Sequence, residues 1–537
     1  MTDSSDVVVE GTMTIERDVM VPTRDGSPIA VDVFRPTTPG RYPVIMSMSP
    51  YGKDVYWPDR FPLFDRVDDG RHMVWETENP DTWVPEGYVL VRADTRGTGR
   101  SPGLLQVLGR REQEDCYDVV EWSAVQPWST GRVGMSGISW FAMLAWSVAA
   151  LKPPHLSAVI PWDGLSDFYR EWAYQGGIHH KNFTEYWWTH HVLCNQFGLG
   201  RLAPPELARH RIDLPQEIEA HPLADEWHAE RTPALEDIEI PVLSASAWGS
   251  VHLHLRGNVE GFERVASEHK RLILFPGDHI APFYSEWALA ERRRFFDRWL
   301  KEEVNGAESD PPVRLALRDP AGVRWRDEPC WPLSGTRWTR WHLDGAAGIL
   351  GRQPATAGTA TWRSPDGQLD FLTPPADEQL EITGPAALRL WVSTDAPDVD
   401  VFVAVWQLDE GGRTVPAHGV LGQEVPHAWG CLRASHRTLD RARSLPHRPF
   451  HPHTELAPVP AGEPFVLDIE IWPTSIVLAP GHRLLVRLAS VDAWSQPAVR
   501  HDDPADRPSR FTGTVTVHTG GDHDSSMLLP AIPDDAP

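Results

Sequence analysis

Gly131-Arg-Val-Gly-Met-Ser-Gly-Ile-Ser-Trp-Phe-Ala142 decides the reading of this chain. An apolar strand stops at a glycine, presents a serine and re-emerges as an apolar helix. That shape holds a serine hydroxyl on a sharp turn, above a parallel sheet and beside a helix N-terminus. Ser139, in Gly137-Ile138-Ser139-Trp140, is the candidate nucleophile, with Ser136 its competitor in the same stretch. Only half of the G-x-S-x-G pattern is present, because Phe141 takes the place of the second glycine.

The segments around it alternate in type. Tyr42 to Ser49 is an apolar run leading into a turn that carries Tyr51 and Lys53. Gly87 to Asp94 is a second run, followed by the glycine-rich loop Thr95-Arg-Gly-Thr-Gly-Arg-Ser-Pro-Gly103. A helix is predicted over Glu112 to Ala124, and Gln126-Pro-Trp128 then leads into the nucleophile strand. Short continuous apolar strands alternating with helices indicate a parallel sheet covered on both faces. Catalytic groups then belong at the carboxyl ends of its strands.

These motifs, P-Y-G-K (50–53), D-x-R-G-x-G-x-S-x-G (94–103), Q-P-W (126–128) and G-x-S-W (137–140), resemble the cocaine esterase/Xaa-Pro dipeptidyl-peptidase group of α/β-hydrolases. That group includes α-amino acid ester hydrolases and glutaryl acylases. The resemblance extends through Val323–Pro332, Gly430–Arg437, Ile471-Trp-Pro473 and Ala479–Arg483, which look like the group's C-terminal jelly roll. It implies that Ser139 forms an acyl-enzyme. It also implies an oxyanion hole made by the Tyr51 hydroxyl and the Trp140 backbone N–H. The chemistry stands without the family: preplaced donors stabilise the charge that develops on the carbonyl oxygen, each worth about 10²–10³ in rate.

The general base is expected after the last core strand, and Arg271-Leu-Ile-Leu-Phe-Pro-Gly-Asp-His279 ends in a histidine. The group's Gly-Pro-Trp-x-His is here Phe275-Pro-Gly-Asp-His279, so the histidine is kept and the tryptophan is not. The acid departs from the pattern more seriously. Ser250 stands where the group has Asp, in Trp248-Gly249-Ser250. Asp163, at the end of the preceding strand, is the first substitute. Asp278 is expected to point away from His279, and His252 and His254 read as ordinary polar residues. If no acid reaches His279, the alternative is a catalytically vestigial fold acting as a binding protein.

The chain has 537 residues and a net charge of −25, which argues against nucleic acid and anionic membranes as partners. Four cysteines, at 116, 194, 330 and 431, form no C-x-x-C pattern and read as buried thiols of a reducing compartment. The acidic start lacks an apolar signal region, and no run of 18 apolar residues exists. A cytoplasmic location is therefore expected. No cofactor or metal is expected either. The pairs His179-His180 and His190-His191 would point about 100° apart on a helix and make poor bidentate ligands.

The domain reading places an α/β-hydrolase catalytic domain at 11–159 and 238–305. A helical cap rich in aromatics and histidines fills 160–237, and a jelly-roll β-sandwich covers 306–537. Residues 1–10 read as a flexible tail. Trp162, Trp187, Trp188 and Trp248 are the candidate pocket tryptophans, among 25 in the chain. The expected function is hydrolysis of a small-molecule carboxylic ester or amide by a serine hydrolase. Homo-oligomerisation is left open.

Overall fold

The computed structural model describes residues 7–56, 70–420, 422–503, 505–506 and 511–533. Its N-terminal part is built on a mixed sheet of eleven strands. In chain order these are β1 (Val7–Glu10), β2 (Met13–Pro22), β3 (Pro28–Pro36), β4 (Tyr42–Ser49), β5 (Val89–Asp94) and β6 (Ser129–Ile138). They continue with β7 (Leu156–Trp162), β8 (Val242–Ala247), β9 (Lys270–Phe275), β10 (Val313–Asp319) and β11 (Gly322–Glu328). The spatial order is β1-β2-β3-β5-β4-β6-β7-β8-β9-β10-β11. From β5 to β10 every pairing is parallel. The continuous apolar runs explain this, since strands buried on both faces have no polar side to give to water.

Helices cover both faces: α1 (Arg110–Ala124), α2 (Trp140–Ala150) and, nearer the C-terminal end, α4 (Leu255–Arg264) and α5 (Glu286–Trp299). A shorter helix, α3 (Lys181–Trp187), belongs to the segment between β7 and β8. Alternation along each strand divides the core. Val159 faces Leu144, Ala145 and Val148 of α2, whereas Ile160 and Trp162 face Phe295 and Phe296 of α5. Trp146 is fully buried at the centre of α2, and a Cβ on Gly261 of α4 would come within 2.5 Å of its ring.

Two boundaries differ from the sequence expectation. Val7–Glu10 is not a free tail but pairs antiparallel with Met13–Glu16; residues 1–6 lie outside the described residues. The first sheet also continues past 305, because β10 joins the edge of β9 and turns back through β11 before the chain leaves. The segment between β7 and β8 is mostly short helices, with one small hairpin pairing 174–175 with 178–179. Its core is aromatic: Phe168, Tyr169, Trp172, Trp187 and Trp188 pack on Tyr51, Trp140 and Phe141.

From Arg337 to Ile532 the chain forms a separate all-β domain, whose strands wrap an apolar core. This domain reaches back to the first sheet. Phe402, Trp429 and Trp472 pack with Trp248, Val313 and Leu315. Gly249 lies against it so closely that a Cβ there would sit 1.7 Å from the His418 carbonyl oxygen. Cys116 and Cys431 are buried, but Cys194 and Cys330 are exposed, contrary to expectation. Among the described residues no helix is long and apolar enough to cross a membrane.

Candidate active site

The parallel register brings the carboxyl ends of β4, β6, β7, β8 and β9 into one row. Ile138 is paired with Trp162, Trp162 with Ala245, and Ala247 with Phe275. The residues that follow these strands are Tyr51, Ser139, Asp163 and, after a short turn, His279.

Ser139 occupies the turn between β6 and α2 with φ 57° and ψ −113°, a conformation rare for a residue with a side chain. Its N–H donates to the carbonyls of Trp162 (3.1 Å) and Asp163 (3.0 Å), which holds the strained turn in place. The missing second glycine of the motif now has a physical account. Close approach is relieved elsewhere: a Cβ on Gly137 would lie 2.5 Å from the Phe141 Cβ, and one on Gly164 would lie 2.3 Å from the Ala142 Cβ. Gly137 thus makes room for Phe141, and Gly164 for Ala142, in the first turn of α2. Ser139 is half-buried, whereas Ser136 is buried within β6 and donates to Glu78 Oε1 at 2.6 Å. The structure gives Ser136 a packing partner and leaves Ser139 as the serine at the turn.

Asp163 is fully buried and reaches His279, its Oδ2 lying 3.1 Å from His279 Nδ1. Its other oxygen accepts from Ser246 Oγ (2.5 Å) and from the Ala247 N–H (2.9 Å). A carboxylate leaving β7 is thus fixed by the end of β8, the strand that leads into the turn of Ser250. Ser250 itself is fully buried, and its Oγ has no hydrogen-bond partner among the described residues. Asp278 is turned away as expected, accepting from the N–H groups of Ile280 and Ala281.

Two residues near His279 were not expected. Glu76, buried and at φ 62°, places Oε1 at 3.1 Å from His279 Nε2. Among the described residues His279 Nε2 meets this carboxylate and not Ser139 Oγ. His254 stacks on the His279 ring, centroids 5.0 Å apart and planes 12° apart, so it is a neighbour of the site rather than an ordinary polar residue. Burial by itself would lower the His279 pKa, but Asp163 and Glu76 outweigh it and raise it to about 10. Burial raises the Glu76 pKa, against the opposing pull of His279. Burial also keeps His254 uncharged, with a pKa well below the usual histidine value. The all-β domain takes part too, since the His279 N–H donates to the Val420 carbonyl at 3.2 Å.

Tyr51 is buried beside the first turn of α2, its ring 6.1 Å from Phe141 and 6.4 Å from Trp187. Its hydroxyl oxygen accepts from Trp187 Nε1 at 2.9 Å. The turn that carries it is fixed by Asp94, whose carboxylate accepts from the N–H groups of Lys53 and Arg100, both at 2.8 Å. Gly99 is required there, because a Cβ would fall 2.1 Å from that carboxylate. The D-x-R-G-x-G motif is therefore a brace between the Tyr51 turn and the glycine loop. Burial lifts the Asp94 pKa to about 7.

The four tryptophans separate. Trp187 stacks on Trp140 at 4.9 Å and, with Trp188, forms the cap wall facing Tyr51 and α2. Trp162 is not a pocket residue: it points to the opposite face of the sheet, against Phe275, Phe283 and Trp287. Consecutive strand residues face opposite ways, and Asp163 takes the site side. Trp248 is also displaced from the pocket, its Nε1 donating to the Ala316 carbonyl (2.7 Å) in the contact with the all-β domain. His252 belongs to that contact as well, with Ser495 Oγ 2.8 Å from its Nε2.

A strained serine at a strand–helix turn, in the same row of parallel-strand ends as a paired histidine and aspartate, defines the α/β-hydrolase class. The comparisons with known proteins agree. Residues 25–281 match the X-Pro dipeptidyl-peptidase (S15) family, and residues 305–528 match the X-Pro dipeptidyl-peptidase C-terminal non-catalytic domain. A solved CocE/NonD family hydrolase from Staphylococcus aureus superposes with a TM-score of 0.89 at 32% identity, covering 97% of this chain and 94% of that one. Cocaine esterase from Rhodococcus sp. (strain MB1 Bresler) is 25% identical, covering 98% of this chain and 100% of that protein. A solved α-amino acid ester hydrolase shares the fold, with a TM-score of 0.71 at 17% identity. The chain belongs to the CocE/NonD family of hydrolases and is a serine hydrolase.

Proposed function

We propose that this protein hydrolyses a carboxylic ester or amide through an acyl-enzyme, with Ser139 as nucleophile, His279 as base and Asp163 as the acid that orients it. The observation that carries the reading is the 3.1 Å contact between Asp163 Oδ2 and His279 Nδ1. It supplies the carboxylate that Ser250 cannot, and so disfavours a vestigial binding protein. Asp163 fixes the tautomer with a proton on Nδ1, leaving Nε2 to take the Ser139 Oγ proton once it is free. Ser139 Oγ bonds to the substrate carbonyl carbon, and His279 returns the proton to the departing alcohol or amine. Water, activated by the same histidine, then releases the acid.

The oxyanion of each tetrahedral intermediate is met by the Trp140 N–H, at the first position of α2 where no intrahelical acceptor exists, and by the Tyr51 hydroxyl. Trp187, by donating to the Tyr51 oxygen, polarises that hydroxyl and strengthens it as a donor. The aromatic wall of Trp140, Phe141, Trp187 and Trp188 favours an apolar acyl or leaving group.

A p-nitrophenyl ester tests the reading. Pre-steady-state release should show a burst equal to the enzyme concentration, with the acyl mass on the Ser139 peptide; acylation of another residue, or no adduct with turnover intact, overturns it. Tyr51→Phe should lower kcat about 100-fold with KM within a few-fold, because the lost donor serves the transition state more than the ground state. Unchanged kcat would remove Tyr51 from the oxyanion hole.

A further inference from the structure

Glu76 was assigned no role by sequence, yet it touches the one atom of His279 that acid–base catalysis needs. Its position is fixed by the fold. The Glu76 carbonyl accepts the Ile138 N–H at 2.9 Å, one residue before the nucleophile. The next carbonyl, of Thr77, accepts from the Tyr284 hydroxyl at 3.1 Å. Two residues on, Glu78 is held by Ser136, by Trp83 Nε1 at 2.6 Å and by Arg292. The segment is therefore tied to β6 at Ile138 and Ser136, and the Glu76 side chain reaches from it to His279.

We propose that Glu76 is a positioning residue for the base: its carboxylate competes with Ser139 for His279 Nε2 and sets the pH at which the imidazole is released to Ser139. The inference rests on the roles of Ser139 and His279 given above. In the resting site a carboxylate lies at each ring nitrogen, 3.1 Å from Asp163 and 3.1 Å from Glu76. An imidazolium satisfies both, donating one N–H to each. A base must instead present a lone pair at Nε2. The Nε2 proton has to pass to solvent base, leaving a neutral ring with its remaining proton on Nδ1 toward Asp163. Nε2 then accepts the Ser139 Oγ proton as Oγ bonds to the carbonyl carbon.

The other neighbours of His279 do not offset the two carboxylates. His254, stacked from the turn after β8, is uncharged. Asp278 is committed to the backbone of Ile280 and Ala281. From the all-β domain the Val420 carbonyl takes the backbone N–H and not the ring. Behind Glu76, the Glu78 carboxylate is paired with Arg292. The direction of the effect follows. Removing the Glu76 charge lowers the pKa of His279, so the neutral ring is present at lower pH.

Glu76→Gln keeps the shape and one acceptor oxygen, and replaces the charge and the other oxygen with a neutral NH₂. The test is the pH profile of kcat/KM for an aryl ester, run with the rate of fluorophosphonate labelling of Ser139. The acidic limb should move down by about one to two pH units, as expected for losing an opposite charge within 4–6 Å. Labelling at pH 7 should rise about tenfold or more, with the alkaline plateau within a few-fold of wild type. A second readout needs no turnover. The low-field proton resonance of the His279 Nδ1–H, assigned by its loss in His279→Gln, should titrate at lower pH in Glu76→Gln than in wild type. Coincident limbs and coincident titrations overturn the proposal, as does a plateau lost by more than about 100-fold in a folded variant. If the resonance shifts but Ser139 is never labelled, the hydrolase reading fails and the Glu76 contact stands. If labelling proceeds and the resonance does not shift, the Glu76 proposal fails alone.

Discussion

Ser139→Ala is expected to abolish fluorophosphonate labelling and to reduce ester turnover by about 10⁶, to the residual level that binding and an oxyanion hole supply without a nucleophile. The fold should survive. Ser139 is half-buried, and its backbone N–H, not its hydroxyl, makes the bonds to Trp162 and Asp163 that hold the turn. Alanine at φ 57° retains the strain of the native turn, so the melting temperature should change by no more than a few degrees. Ser136→Ala is the control. It removes a buried donor to Glu78 and should cost stability by about 1–3 kcal/mol while leaving labelling in place. Labelling that survives Ser139→Ala and disappears in a folded Ser136→Ala would move the nucleophile three residues upstream.

Much of this arrangement was legible in the sequence because it follows from period and order. Short apolar runs such as Val89–Val91 and Leu272–Phe275 read as strands buried on both faces. Their alternation with helices fixes which ends carry chemistry. The contact of Asp163 with His279 was legible through the family resemblance, since some α/β-hydrolases supply their acid from the strand before the one that leads to Ser250. The same strand rule would have excluded Trp162: if the chain delivers Asp163 to the site as β7 ends, the residue before it faces the other side.

Glu76 was hidden for a different reason. It lies in irregular chain between 70 and 79, where no periodicity or turn chemistry assigns a direction, and its partner is 203 residues away. The only local sign was a pair of acids, Glu76 and Glu78, among apolar and aromatic neighbours, each of which proved to be buried on a partner. His254 and Val420 escaped for a related cause. One depends on how the turn after β8 folds back over His279, the other on where the all-β domain docks.

Asp163→Asn is expected to lower kcat by about 10³–10⁴ while leaving KM within a few-fold. The argument lies in which protons each oxygen can tolerate. Asp163 Oδ1 accepts from Ser246 and from the Ala247 N–H, and both are donors. An amide placed there must turn its own oxygen toward them, which leaves its NH₂ facing His279 Nδ1. A donor at that position forces the proton onto Nε2, the tautomer that cannot accept from Ser139. Charge is lost as well, so the imidazolium formed during acylation has only Glu76 to stabilise it, on the side where it must release Nε2. Ser250→Asp should not rescue the variant. Ser250 is fully buried with its hydroxyl unpartnered, so a carboxylate there meets a desolvation cost and no bond to the histidine. Steady-state kinetics on an aryl ester and the low-field Nδ1–H resonance, which should vanish in Asp163→Asn, check both parts. Near-wild-type kcat in Asp163→Asn would mean that His279 works without its acid, and recovery on adding Ser250→Asp would return that role to the end of β8.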